Sequence, residues 1–280
     1  MLIGGTGSDT LIGGNGKDIA DYRGGAAISL NLLTGSATQG ADTDSLVGIE
    51  AVFGSSGNDV IRGLDGIEAQ YGETVRGGPG NDSIDGGSGN DTAEFTGARA
   101  LYAVSRPNPA TLNITVTNSG GAEGVDSLNN IERLVFADQL LAFGPRAEEV
   151  ARVAFVLWSP AIAHITAFQS LFARGLSYYD VGYDFNNLCQ TALLFWPQQG
   201  AAFAQILVGN APGTTRTVND VLAIMNTAGG GDAGRAAAVS AMALDAGTTT
   251  QIELSGIRSN GIVADLFVQD FGQLFSLLPG

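Results

Sequence analysis

A nine-residue phrase, Gly-Gly-x-Gly-x-Asp-x-apolar-x, recurs through the first hundred residues and limits what this chain can fold into more than any other feature. It appears as Gly4 to Ile12, Gly13 to Asp21, Gly54 to Arg62, Gly77 to Asp85 and Gly86 to Glu94. These five copies keep Gly at position 1, Gly at position 4 and Asp at position 6. Glycine accepts positive φ and close backbone approach, so Gly-Gly-x-Gly-x-Asp reads as a turn whose carbonyls can point inward. The three residues after each turn read as a short strand, and position 8 supplies its inward side chain: Leu11, Ala20, Ile61, Ile84 and Ala93. A degenerate stretch of fourteen residues, Gly63 to Arg76, breaks the phase. It can be read with Glu68 at position 6, or with Glu73 there and Val75 as the apolar residue.

Such a repeat cannot hold itself together by burial. Each copy buries about one aliphatic group, worth roughly 1–3 kcal/mol, whereas ordering nine residues costs on the order of 10 kcal/mol. A hard cation ligated by turn carbonyls and aspartates supplies what the core lacks, and Ca²⁺, with six to eight oxygen ligands in flexible geometry, suits such turns better than Mg²⁺. Charge follows the same division. Residues 1–145 hold eighteen Asp/Glu against seven Lys/Arg, while residues 146–280 hold ten against six, giving −11 and −4 of the total −15. An acidic surface with one lysine, Lys17, repels nucleic acid and attracts cations. Cys189 is the only cysteine, so neither an internal disulfide nor a thiolate metal cluster can form.

With these residues in view, the chain resembles the RTX (repeats-in-toxin) proteins, whose Ca²⁺-binding nonapeptide has this form. The resemblance spans roughly residues 1–145 and implies a parallel β-roll in which two nonapeptides make one turn, with Ca²⁺ between loops on the same side. It implies Asp9, Asp18, Asp59, Asp82 and Asp91 as side-chain ligands. Backbone oxygens of the turns around Gly5, Gly7, Gly14, Gly16, Gly78, Gly80, Gly87 and Gly89 would complete the shell. Complete sites then require that 4–21, 54–71 and 77–94 stack across the segments between them.

A second repeat flanks the first. Asp44-Ser45-Leu46-Val47-Gly48-Ile49-Glu50 and Asp126-Ser127-Leu128-Asn129-Asn130-Ile131-Glu132 share Asp-Ser-Leu-x-x-Ile-Glu, and each follows an alternating stretch and a turn. They read as β-hairpin modules. They are similar to segments that interrupt and cap RTX rolls, covering the exposed end of the stack. Asp126, closing Gly121 to Asp126, also fits the loop pattern.

After Gly144-Pro145 the composition turns to Ala, Leu and Phe at helical spacing. Residues 146–158, 160–174, 185–196, 198–208, 216–228 and 232–246 read as six helices. Ser159-Pro160 and Gly229 to Asp232 supply stops and caps. Val153 to Ala173 carries no charged residue over twenty-one positions, long enough to cross a bilayer. Pro160, His164, Thr166, Gln169 and Ser170 interrupt that run, so buried helices are expected there and membrane insertion is not. His164, the only histidine, reads as a packed or surface residue. At the C-terminus Phe267, Phe271, Leu274, Phe275 and Leu278 share one helical face. RTX proteins exported by type I machinery resemble this in carrying an uncleaved C-terminal signal, which would account for a start lacking a basic, apolar leader.

No His-Glu-x-x-His, Gly-x-Ser-x-Gly or Walker loop is present. The expected architecture is a mainly β half, residues 1–145, a parallel β-roll of calcium-binding nonapeptides with capping hairpins, followed by an all-α domain, residues 146–280. The expected function is that of a secreted, extracellular or cell-surface calcium-binding module, not an enzyme, whose folding is switched on by external Ca²⁺. Its partners would be calcium, the type I secretion machinery and a cell-surface or surface-layer component, with nucleic acid excluded. The runner-up is a surface-layer or adhesin segment whose helical domain binds a partner, and a membrane-active cytolysin ranks below it.

Overall fold

The computed structural model describes residues 1–65, 72–108, 110–158, 185–193, 198–211, 214–245 and 262–265. Two compact units emerge, the first being Met1–Ala142 and the second lying within Phe143–Ala264.

The first unit has β1 Thr10–Ile12, β2 Ile19–Asp21, β3 Ile28–Asn31, β4 Ser36–Gln39, β5 Asp42–Val47, β6 Ala51–Phe53, β7 Val60–Arg62, β8 Thr74–Arg76, β9 Ser83–Asp85 and β10 Thr92–Glu94, of which β1, β2, β7, β9 and β10 are the short strands predicted after the five clear turns. β11 Tyr102–Ser105, β12 Ile114–Asn118, β13 Val125–Asn129, β14 Arg133–Val135 and β15 Gln139–Ala142 follow. One sheet has nine strands in the order β1-β5-β4-β3-β7-β9-β13-β12-β11. Within this unit the facing sheet runs β15-β14-β10-β8-β6-β2. The nonapeptide strands thus alternate between two sheets and pair in parallel, an arrangement consistent with a β-roll, while the antiparallel pairs of the nine-stranded sheet come from β3-β4-β5 and β11-β12-β13.

Register lines up the inward residues. In the first sheet Leu30 pairs with Ile61, Ile61 with Ile84 and Ile84 with Leu128. In the other, Ala20 pairs with Val52, Val52 with Val75, Ala93 with Val75 and with Leu134. All of these are at most 2% exposed. Leu and Ile dominate the ladder of the first sheet, whereas Ala and Val dominate that of the other. Ile84 sits mid-ladder, so Ile84→Ala is expected to cost about 2–5 kcal/mol in chemical denaturation with calcium present. Val60→Ala, on the outward face and 54% exposed, is expected to cost under about 1 kcal/mol.

The two Asp-Ser-Leu modules form three-stranded antiparallel meanders, β3-β4-β5 and β11-β12-β13. The first interrupts the stack: β1 pairs with β5 and β3 with β7. The expected stacking of 54–62 on 77–85 is found through β7 and β9. That of 4–12 on 54–62 is not, because the meander separates β1 from β7. The second meander lies at the far end of the stack, beside Phe95, Tyr102 and Phe136, whose ring centroids are 5.1–5.2 Å apart.

The degenerate stretch is settled in favour of Glu73. Val75 is 1% exposed and pairs in register with Val52 and Ala93, which places Glu73 at position 6. Glu68 lies outside the described residues.

The second unit contains α1 Gly144–Trp158, α2 Phe185–Ala192, α3 Gly200–Asn210, α4 Val218–Thr227 and α5 Gly231–Ala243. Thr217 caps α4 in a reciprocal capping box with Asp220. Gly230, with φ 69°, is the N-cap of α5. Gly234 is required inside α5, since a Cβ there would lie 2.4 Å from the Met225 carbonyl oxygen of α4. A strand, Ile262–Asp265, also occurs, so the described part of the C-terminal half is not wholly helical. Its Ile-Val pair is β-branched and favours extended backbone. The predicted helix at 160–174, His164, the Ser159-Pro160 cap and the apolar face from Phe267 to Leu278 lie outside the described residues. Among those described, no helix is long and apolar enough to cross a membrane.

Candidate metal centres

Turns entering the nine-stranded sheet lie on one flank of the first unit, and turns entering the other sheet lie on the opposite flank. In four nonapeptides the glycines at positions 2 and 4 adopt left-handed backbone. Gly5, Gly7, Gly14 and Gly16 have φ of 92–107°, and Gly78, Gly80, Gly87 and Gly89 have φ of 87–140°. A side chain at either position would strain the turn. The glycine at position 1 is needed for a different reason. A Cβ on Gly77 would lie 2.1 Å from Asp82 Oδ2, and one on Gly86 would lie 2.6 Å from Asp91 Oδ2. The carboxylate oxygen occupies the space that a side chain would fill.

Each position-6 residue is then tied to the next coil by the same bond. On the first flank the Asp59 amide donates to Asp82 Oδ1 at 2.8 Å, and the Asp82 amide donates to Asp126 Oδ1 at 2.9 Å. On the second flank the Glu73 amide donates to Asp91 Oδ1 at 2.6 Å, and the Asp91 amide donates to Glu132 Oε2 at 2.7 Å. The N-terminal pair repeats the pattern. The Asp9 amide donates to Asp44 Oδ1 at 2.9 Å, and the Asp18 amide to Glu50 Oε2 at 2.9 Å. Asparagine adds a parallel ladder: the Asn81 amide donates to Asn58 Oδ1 at 2.8 Å and the Val125 amide to Asn81 Oδ1 at 2.7 Å.

Asp82 and Asp91 each use Oδ1 as the acceptor in this way. Their Oδ2, like Oδ2 of Asp9 and Asp18, is buried with no hydrogen-bond partner. Asp82 and Asp91 are only 2% and 1% exposed. An ionised carboxylate left thus is costly unless a proton or cation joins it. Burial, together with the nearby Asp59 and Glu123 charges, pushes Asp82 up to about 7. Burial beside Glu73 and Glu132 pushes Asp91 up to about 9, and burial beside Asp82 and Glu123 pushes Asp126 up to about 7. Glu73 is raised by the same cause.

Asp59 differs. Its turn has Ser55 at position 2, and neither Ser55 nor Gly57 adopts positive φ. Asp59 Oδ2 accepts from the Ser55 amide at 2.6 Å, and Oδ1 accepts from the Ser55 hydroxyl at 2.6 Å and the Ile28 amide at 2.8 Å. Both oxygens are engaged by protein.

Among the described residues no group of three or more His, Cys, Asp or Glu side chains converges as a metal cluster. Two carboxylates and the backbone carbonyls of a glycine turn are what each rung offers, an all-oxygen donor set of the kind Ca²⁺ takes. The unpartnered buried oxygens fit such an ion.

Stacked parallel strands whose turns present buried carboxylates define a repeat fold suited to binding hard cations. Residues 1–26, 44–66 and 70–94 match the RTX calcium-binding nonapeptide repeat, in four copies. These three stretches thus carry RTX-type calcium-binding repeats. No curated protein matches the chain.

Sequence reasoning passed over Asp44, Glu50 and Glu132, and gave Asp126 only through a loop pattern. The signal was present as Asp-x5-Glu in both modules. That spacing differs from the Asp-x8-Asp of the nonapeptide pairs, so a search at period nine does not find it.

Proposed function

We propose that this protein is a secreted or cell-surface module whose N-terminal unit is completed by Ca²⁺, with ion uptake driving its folding outside the cell. The observation carrying this reading is the set of buried, unpartnered Oδ2 atoms on Asp9, Asp18, Asp82 and Asp91. In calcium-poor cytosol these carboxylates repel one another and oppose compaction, which would keep the chain extended for export by type I machinery. At high external calcium, ligation neutralises them. A ligand at 100 times its Kd adds roughly 2.7 kcal/mol per site if it binds only the folded state, so a few sites decide the balance.

In this mechanism Asp82 and Asp91 would hold the ion with Oδ2, while their Oδ1 atoms, accepting from the Asp59 and Glu73 amides, keep the coils in register. Calcium would supply positive charge and accept oxygen ligands in a flexible shell. The glycines at positions 2 and 4 turn the chain without a side chain in the way. This reading assigns no catalytic role to any residue.

A far-UV circular dichroism titration of the calcium-free protein tests it. Ca²⁺ is expected to raise the β signal while equal Mg²⁺ does not. An unchanged spectrum at millimolar Ca²⁺, or an equal response to Mg²⁺, would sink the proposal.

A further inference from the structure

We propose that the second Asp-Ser-Leu-x-x-Ile-Glu segment supplies half of the ion sites on which it stacks, with Asp126 and Glu132 acting as partner carboxylates to Asp82 and Asp91. This inference rests on the calcium reading above and extends it to residues outside the nonapeptide repeat.

The argument begins with a mismatch of length. Asp82 and Asp91 are nine residues apart, whereas Asp126 and Glu132 are six apart. Both module carboxylates nonetheless land on the rung that a further nonapeptide would occupy, accepting from the Asp82 and Asp91 amides at 2.9 and 2.7 Å. The strands between remain in register, Leu128 beside Ile84 and Leu134 beside Ala93. The three missing residues come from the turn. Asn130, with φ 50° and the only positive-φ residue other than glycine among those described, reverses the chain in place of the longer glycine turn. Glutamate is one methylene longer than aspartate, which extends the reach of the side chain that follows this shorter turn.

The module backbone also comes close. A Cβ on Gly124 would lie 2.2 Å from the Gly80 carbonyl oxygen, and one on Gly86 would lie 2.3 Å from the Asn130 carbonyl oxygen. Between these segments stand Asp82 and Asp91, each with a buried oxygen that no protein group engages. The same amide ladder occurs a second time, except that there the Tyr22 hydroxyl donates to Asp44 Oδ2 at 2.9 Å and so takes up its second oxygen. Asp9 and Asp18 pair with Asp44 and Glu50, again nine residues against six, and Gly48 with φ 62° takes the place of Asn130. A covering hairpin would need an apolar surface to close the stack, not a pair of acids repeated on matching rungs.

Isothermal titration of the calcium-free full chain with CaCl₂ tests this. Asp126→Asn and Glu132→Gln keep an oxygen that can accept the amide bond and remove only the charge. The double variant is expected to lose two ions per chain or to bind them at least tenfold more weakly. The single variant Glu132→Gln, at a half-buried position, is expected to lose or weaken one, and it serves if the double variant does not fold. Wild-type stoichiometry with affinities within threefold in Glu132→Gln would overturn the inference and leave the module a structural cap. Absence of calcium uptake by the wild type would overturn the calcium reading itself, an outcome distinct from binding that ignores the module.

Discussion

Replacing Asp82 and Asp91 together with alanine is expected to remove the calcium response of the 77–94 pair, the largest single effect foreseen for this protein. With each site contributing roughly 2.7 kcal/mol at 100 times its Kd, losing both takes away about 5 kcal/mol of calcium-dependent stability. Asp59→Ala should behave differently. It strips the acceptor from the Ser55 amide and hydroxyl and from the Ile28 amide, so stability falls at every calcium concentration while the number of ions bound does not change. Denaturation with and without calcium, paired with a direct count of bound ions, separates the two. A count that falls by one in Asp59→Ala would make it a ligand after all.

The second large effect is on pH. Asp91 is raised to about 9 and Asp82 and Asp126 to about 7, each from an ordinary value near 3.8. A carboxyl whose value is raised by folding favours the folded chain when protonated. That contribution is complete below pH 4 and is lost as pH climbs through 7 and then 9. The calcium-free protein should therefore melt at a higher temperature at pH 5 than at pH 8. Calcium reverses the trend, because the ion prefers ionised ligands and competes with protons for them. The calcium-induced rise in Tm should be large at pH 8 and small at pH 5. Melting curves followed through the β signal at both values, with and without calcium, check the sign. Equal calcium shifts at the two pH values would mean that these carboxylates do not face the ion.

Much of this arrangement could be read from the sequence because spacing alone reports it. Position 8 identified Leu11, Ala20, Ile61, Ile84 and Ala93, all of them buried. Where the spacing stays at nine and the glycines are intact, the position-6 aspartates of four copies present the same geometry. The third copy shows what spacing cannot convey. Asp59 keeps its place in the phrase, but serine replaces glycine at position 2 and its hydroxyl satisfies the carboxylate that would otherwise seek an ion. The stretch from Gly63 to Arg76 allowed two phases by sequence, and pairing of Val75 with Val52 and Ala93 selected one. Stacking order was the least legible feature. Which strand lies beside β1 depends on where a meander inserts, and local turn chemistry does not encode that.

The inserted meander makes the two flanks unlike as conductors of charge neutralisation. On the first flank four inter-strand steps lie between β1 and β7, about 19 Å at the usual strand spacing. That exceeds twice the Debye length of about 8 Å that screens exposed charges in physiological salt, so on the calcium reading an ion at Asp9 would couple only weakly to Asp82. The second flank has no such gap, since β2, β6, β8 and β10 are successive neighbours and carry Asp18, Glu50, Glu73 and Asp91 one step apart. On the calcium reading, ion uptake along that flank would spread rung by rung, whereas the other flank would load as two weakly coupled blocks.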